Sequence, residues 1–281
     1  MNLRAGAEII RPLNCAMIGF AVIIGEFVSK PPIIPPLQTL LGFLTGFFIC
    51  AYSMTVNDVY DLEVDKVNRP GRPIPSGRIS VGGANRLSVA MLILGAGCSL
   101  LSLSAAAVAI ALAYALLSWA YNAWAKKEGL VGNAIVASSL AIPFVYGGVI
   151  SNGSIFNSLL LIMALTSFFA GVGREVVKAM ADVEGDAKRG VKSVARSRGP
   201  KAAGSVGAAF FILAIFTSWI PLILGLANVI YQIGVIVPDA IFAFLAVSIL
   251  RDLGPENAHA VKNRALLGML VGLFVFIGGG I

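Results

Sequence analysis

Four carboxylates fall within eight residues at Asp58-Val-Tyr-Asp61-Leu-Glu63-Val-Asp65, directly after an apolar run from Leu40 to Val56 long enough to lie in a bilayer. If the helix continues at about 100° per residue, Asp61 sits roughly 60° and Asp65 roughly 20° from Asp58, so these three share a face and Glu63 points elsewhere. Like charges so close repel one another and are costly beside hydrocarbon, so such a face waits for a cation. The same device recurs at Asp182-Val-Glu-Gly-Asp186, again after an apolar run, with Lys178 and Glu175 on the same face in the preceding turns. Two acid faces at the ends of two membrane helices predict metal ions held between them.

Behind the first cluster comes Asn68-Arg-Pro-Gly-Arg-Pro-Ile-Pro-Ser-Gly77-Arg78, whose prolines and glycines forbid helix and present Arg69, Arg72 and Arg78 from a loop beside the carboxylates. Arginine suits bidentate grip on phosphate oxygens, although solvation or anionic lipid headgroups account for the same residues without chemistry. The stretch after the second cluster, to Pro200, is basic as well. Carboxylates alone repel a phosphate, and basic loops alone need no carboxylates. A magnesium-bound diphosphate satisfies both, because Mg²⁺ takes one or two carboxylates and completes its octahedron with water and phosphate oxygens. Such a site suits loss of diphosphate from an allylic carbon, the metal and Arg/Lys neutralising the leaving group while the carbon end becomes a cation in a dry pocket. The residues alone point to magnesium-dependent chemistry on a lipid diphosphate and leave the acceptor open.

The elements that must hold these clusters are apolar. The 281 residues are 58% hydrophobic and 12% charged, and the mean hydropathy is +0.88, against about 25% charged residues in ordinary chains. An integral membrane protein follows. Spans are expected near 12–28, 37–56, 83–102, 104–124, 131–151, 155–177, 203–224, 227–250 and 263–280, nine in all. With the amino terminus in the cytosol, the cytosolic segments collect 20 of the 21 Lys and Arg and leave only Lys30 outside. The positive-inside rule therefore puts the amino terminus and both acidic clusters on the cytoplasmic side of a multi-pass cell-membrane protein. The net charge of +7 is thus a topology signal, and no nucleic-acid partner is expected. No removable signal peptide is read at Met1–Arg11. The turn Lys30–Pro36 is too proline-rich for helix, and the polar stretch 251–264 is expected to be a loop. Cys15, Cys50 and Cys98 lie in apolar segments without metal-site spacing, and His259 is incidental. Trp124 suits the interfacial belt; Tyr121 and Asn122 belong either to that belt or to a cavity. Asn14 serves as packing glue or faces a cavity, and Tyr146 either packs with a bonded hydroxyl or faces a reactive cation.

Asn57-Asp58-x-x-Asp61-x-x-x-Asp65 with Arg-Pro-Gly-Arg-Pro behind it, together with Asp182-x-x-x-Asp186, resembles the two motifs of the UbiA superfamily of intramembrane prenyltransferases. The likeness extends through Arg11-Pro12-x-Asn14, Tyr121-Asn122 and Gly132-Asn133, along the whole chain. It implies one all-α integral-membrane domain over 1–281, about nine helices around a central cavity capped on the cytosolic side and open laterally to lipid. Carried over residue by residue, it makes Asp58, Asp61, Asp65, Asp182 and Asp186 the Mg²⁺ ligands and, Asp65 excepted, the catalytic carboxylates. Asn57 helps organise metal and diphosphate, Arg72, Lys178 and Lys188 contact phosphate, Tyr121 and Tyr146 shield the cation, and Asn14 touches the acceptor. The run from Gly173-Arg-Glu to Asp186 most resembles an archaeal ether-lipid branch, which moves a geranylgeranyl group from its diphosphate to the free hydroxyl of geranylgeranylglyceryl phosphate. The expected partners are an isoprenoid diphosphate donor, a lipid-like glycerol phosphate acceptor and the bilayer. An aromatic quinone precursor such as 4-hydroxybenzoate is the competing acceptor. A transporter is the competitor from another class; it should keep its ionisable groups near mid-membrane, between broken helices.

Overall fold

Long apolar runs with Ala, Gly and Ser between the larger side chains form helices here, since only a helix satisfies every backbone polar group within its own segment. The computed structural model describes residues 3–29, 35–152, 157–188 and 190–280, so the Lys30–Pro36 turn lies, but for its last two residues, outside the described residues. In chain order the helices are α1 (Leu3–Ile10), α2 (Pro12–Val28), α3 (Pro36–Tyr60), α4 (Leu62–Asn68), α5 (Val81–Leu101), α6 (Ala105–Ala123), α7 (Leu130–Asn152), α8 (Ser158–Ala181), α9 (Val183–Lys188), α10 (Val194–Ile223), α11 (Val229–Arg251) and α12 (Pro255–Gly280). No strand occurs among the described residues. The chain is a multi-pass membrane protein of all-α class.

Eight of these helices are each long and apolar enough to span, and the ninth expected span exists as a bent pair, α1 meeting α2 at 48°. The bend falls on Arg11, whose φ of 53° is left-handed, and Pro12 opens α2. Two expected boundaries are corrected. The stretch 251–264 is mostly helix, because α12 already starts at Pro255, and α10 starts at Val194, passing a break at Gly199 (φ 84°) before Pro200. Both extensions run through polar residues, invisible to a hydropathy window but compatible with helix outside lipid.

Helix α8 sits at the centre, packed on α7, α10 and α12. Glycines let the backbones meet. A Cβ at Gly173 would come within 2.8 Å of the Phe211 ring and one at Gly207 within 2.7 Å of Val177. Between α2 and α7 the contact is tighter: a Cβ at Gly25 would collide with the Phe144 carbonyl, and one at Gly147 with the Val22 carbonyl. The hydrophobic core around α8 continues through Val176, Val177, Phe211, Leu245 and Ile249.

Candidate active site

At 25 residues α3 is about 37 Å long and at 24 residues α8 about 36 Å, so both outreach the ~30 Å hydrocarbon layer. Each ends on a motif aspartate. Asp61 is the C-cap of α3 and Asp182 that of α8, and a short helix, α4 or α9, follows at once. The i to i+4 ladder survives both breaks: Asp61 N donates to Asn57 O (3.0 Å), Asp65 N to Asp61 O (2.8 Å) and Asp186 N to Asp182 O (2.8 Å). The spacing therefore holds its face even though each helix is interrupted, and Glu63 does turn away, to an exposed pair with Lys66.

Tertiary contacts bring the motifs together. Helix α4 packs on α9. The Lys192 amide donates to the Lys127 carbonyl at 2.9 Å, and Gly129 lies so close to Lys192 that a Cβ would overlap its carbonyl. The loop after α4 is folded, with Ile74 and Ile79 buried against Ala5 and Ile9 of α1, and Gly77 turning at φ 73°.

The first cluster is neutralised by cations. Asp58, 5% exposed, accepts from Arg11 and from Arg72 (3.3 Å), and Arg72 also donates to Asp65 at 2.5 Å. Lys126 Nζ reaches both oxygens of Asp61, at 2.6 and 2.7 Å, and lies 5.9 Å above the Tyr121 ring. The Asn57 and Asn122 amides are 2.8 Å apart, and Asn122 donates to Ser118 O. Of the three loop arginines only Arg72 serves this cluster through its side chain. Arg78 turns to Glu8 (2.6 Å), and Arg69 is exposed. In the second cluster Asp186 is buried, whereas Asp182 makes no side-chain hydrogen bond or ion pair among the described residues. Glu175 receives Arg174 at 2.6 Å and Lys178 at 2.8 Å. The Lys188 side chain lies outside the described residues.

Beneath these groups a cavity of about 370 Å³ runs into the bundle, lined at its charged mouth by Arg11, Asn57, Arg174 and Lys178 and deeper by Tyr114 and Tyr146. Asn14 and Tyr121 also border it. Tyr146 packs with a bonded hydroxyl, donating to Ser99 at 2.9 Å, and also lines the cavity. A smaller cavity of about 90 Å³ continues between α8, α10, α11 and α12 and shares Met17, Ile18, Leu140 and Met269 with the first. Arg11, Lys126 and Arg174 enter the site without having been singled out for it. All three are absorbed by topology when charges are counted along the chain, and only the spacing of Arg174 beside Glu175 hints at a pairing.

No group of three His, Cys, Asp or Glu side chains converges closely enough among the described residues to form a ready metal cage. The donor set is nevertheless all carboxylate oxygen, the chemistry of a hard cation such as Mg²⁺ and of neither zinc nor copper. These oxygens stand against Arg and Lys, partners that a phosphate-bound ion can share.

A model of the UbiA prenyltransferase family matches residues 18–275. Digeranylgeranylglyceryl phosphate synthase of Archaeoglobus fulgidus is 37% identical over 281 residues, covering 99% of this chain and 95% of that protein. The enzyme of the same name from Methanocaldococcus jannaschii is 35% identical over 282 residues, covering 100% of this chain and 97% of the other. A solved structure concerned with digeranylgeranylglyceryl phosphate synthase in membranes superposes with a TM-score of 0.81 at 34% identity, over 99% of this chain and 98% of that one. A UbiA homolog from Archaeoglobus fulgidus, solved bound to GPP and Mg²⁺, shares the fold at a TM-score of 0.67 and 19% identity, over 97% of this chain and 99% of that chain.

Proposed function

We propose a specific reaction for this chain, which belongs to the UbiA prenyltransferase family: it moves a geranylgeranyl group from geranylgeranyl diphosphate to the free hydroxyl of geranylgeranylglyceryl phosphate, forming the second ether bond of an archaeal lipid. The observation that carries the site is the packing of α4 on α9, which brings the two motifs together beside an apolar cavity lined by Asn57, Arg174 and Lys178. In this reading 1–281 is one integral-membrane domain, and its motif end faces the cytoplasm.

The donor tail lies in the cavity, where it stays in apolar surroundings. Asp58, Asp61, Asp65, Asp182 and Asp186, with Asn57, would hold Mg²⁺ and through it the diphosphate; Arg72 and Lys188 would bind the diphosphate oxygens and Lys178 a phosphate oxygen of the acceptor. Bound there, the metal would offset the charge growing on the leaving diphosphate. As the bond from allylic carbon to oxygen breaks, Tyr121 and Tyr146 present ring faces to the cationic carbon and exclude water from it. Asn14 orients the acceptor, whose hydroxyl oxygen closes the ether bond while its proton passes to the departing diphosphate. The dry walls, the fixed cations and the placed acceptor supply electrostatic and proximity terms together.

The test offers purified protein labelled geranylgeranyl diphosphate and magnesium, with geranylgeranylglyceryl phosphate and 4-hydroxybenzoate in parallel. Product with the glycerol phosphate alone is expected. Product with the aromatic alone would move the enzyme to quinone precursors, and no product in either, with binding of neither donor nor magnesium, would favour the transporter class.

A further inference from the structure

The cations of the site divide unequally. Around the first motif, Arg11, Arg72 and Lys126 are matched by Asp58, Asp61 and Asp65, so that half is neutral. Around the end of α8, Arg174 and Lys178 share a single buried carboxylate, Glu175. Lys262, from the opposing helix α12, stands in the field of Lys178, Arg69 and Arg174, with Asp182 and Glu175 as the acids acting with it. Lys262 has no hydrogen-bond or ion-pair partner among the described residues. It precedes Leu266 and Met269 by four and seven residues on one face of α12, and both of those line the main cavity. The Nε of Arg174 is buried with no acceptor, although Arg174 Nη1 is bonded and the side chain borders the cavity. With Asp182 assigned to the metal, three cations, Arg174, Lys178 and Lys262, thus share one carboxylate, Glu175, among the described residues, and one buried guanidinium N–H lacks an acceptor.

That surplus of two positive charges matches a phosphate monoester, which carries about −1.5 to −2 at neutral pH and three acceptor oxygens. We propose that Arg174, Lys178 and Lys262 form the seat of the acceptor's phosphate, separate from the donor's diphosphate. The assignment rests on the reaction proposed above. Lys178 and Asp182 are four residues apart along α8, about 6 Å of rise. Phosphate and free hydroxyl belong to one glycerol and are themselves only a few ångströms apart, so a phosphate held at Lys178 and Lys262 leaves the hydroxyl beside the diphosphate between the motifs. The seat also selects against acceptors without an anionic head, since its surplus positive charge would then be left uncompensated.

Steady-state transfer by the full-length protein tests this, with geranylgeranylglyceryl phosphate and its dephosphorylated alcohol as acceptors. Lys262→Gln should raise the KM for the phosphorylated acceptor about tenfold and cut the preference over the alcohol to match, while the donor KM moves less than about twofold. Lys262→Arg should restore most of the acceptor affinity, which a loss of folding would not allow. An unchanged acceptor KM in Lys262→Gln, or an equal rise in the donor KM, overturns the separate seat. Wild-type protein that transfers only to another acceptor class overturns the reaction itself, and the seat with it.

Discussion

Two motif aspartates of the same type should behave differently when removed. Asp182 makes no side-chain hydrogen bond or close ion pair among the described residues, so Asp182→Ala should cut turnover about a hundredfold or more while the thermal midpoint in detergent moves by less than about 2 °C. Asp58 is nearly buried against Arg11 and Arg72. Removing it strands Arg11, which among the described residues then keeps a contact to the Met54 sulfur alone, and Asp58→Ala should lose turnover and also about 1–3 kcal/mol of stability, read from thermal or denaturant unfolding. Equal stability of the two variants would contradict the pairing. Charge repulsion within the acid face, considered alone, predicts that neither loss harms the fold; the cations reverse that for Asp58. Arg72→Ala should weaken donor binding about tenfold by isothermal titration, since its backbone turn to Arg69 and Ser76 does not use the side chain. The carboxylates were legible from their spacing. Their partners were not, because Arg11 with Asp58 and Lys126 with Asp61 lie 47 and 65 residues apart, and only packing brings them together.

At the scale of elements, the lipid-facing lengths follow from hydropathy, and eight of the nine expected spans appear as single helices. What hydropathy misses is helix made of polar residues: the first turns of α12 and α10, and the one-turn to two-turn helices α4 and α9, whose boundaries depend on caps and on docking. Close helix contacts were foreseeable from the small residues only in kind. The structure assigns the tightest to α2 and α7, where even one added methyl group at Gly147 meets the Val22 carbonyl. Gly147→Ala should therefore destabilise the protein by about 1–3 kcal/mol or more, seen as a lower thermal midpoint in detergent. Gly71→Ala, where nothing lies within 4 Å, is the matched control and should leave the midpoint in place.

For the whole molecule, the expected orientation is open to direct measurement. Gly71→Cys puts a thiol in open space on the motif side, in a background where Cys15 and Cys50 are buried and Cys98 is replaced. An impermeant maleimide should label it only after the cells are opened; labelling of intact cells would invert the topology. The bend at Arg11 has a consequence for how such a chain is made. Arg11, Asp58, Asp65 and Arg72 all lie within the first 72 residues, and seven spanning helices are translated after them. Chains fold from the amino-terminal end as they emerge, so Asp58 and Asp65, at the motif end of a nascent hairpin of α2 and α3, have Arg11 and Arg72 to pair with before the later spans are made. Asp61, by contrast, waits for Lys126 to be synthesised.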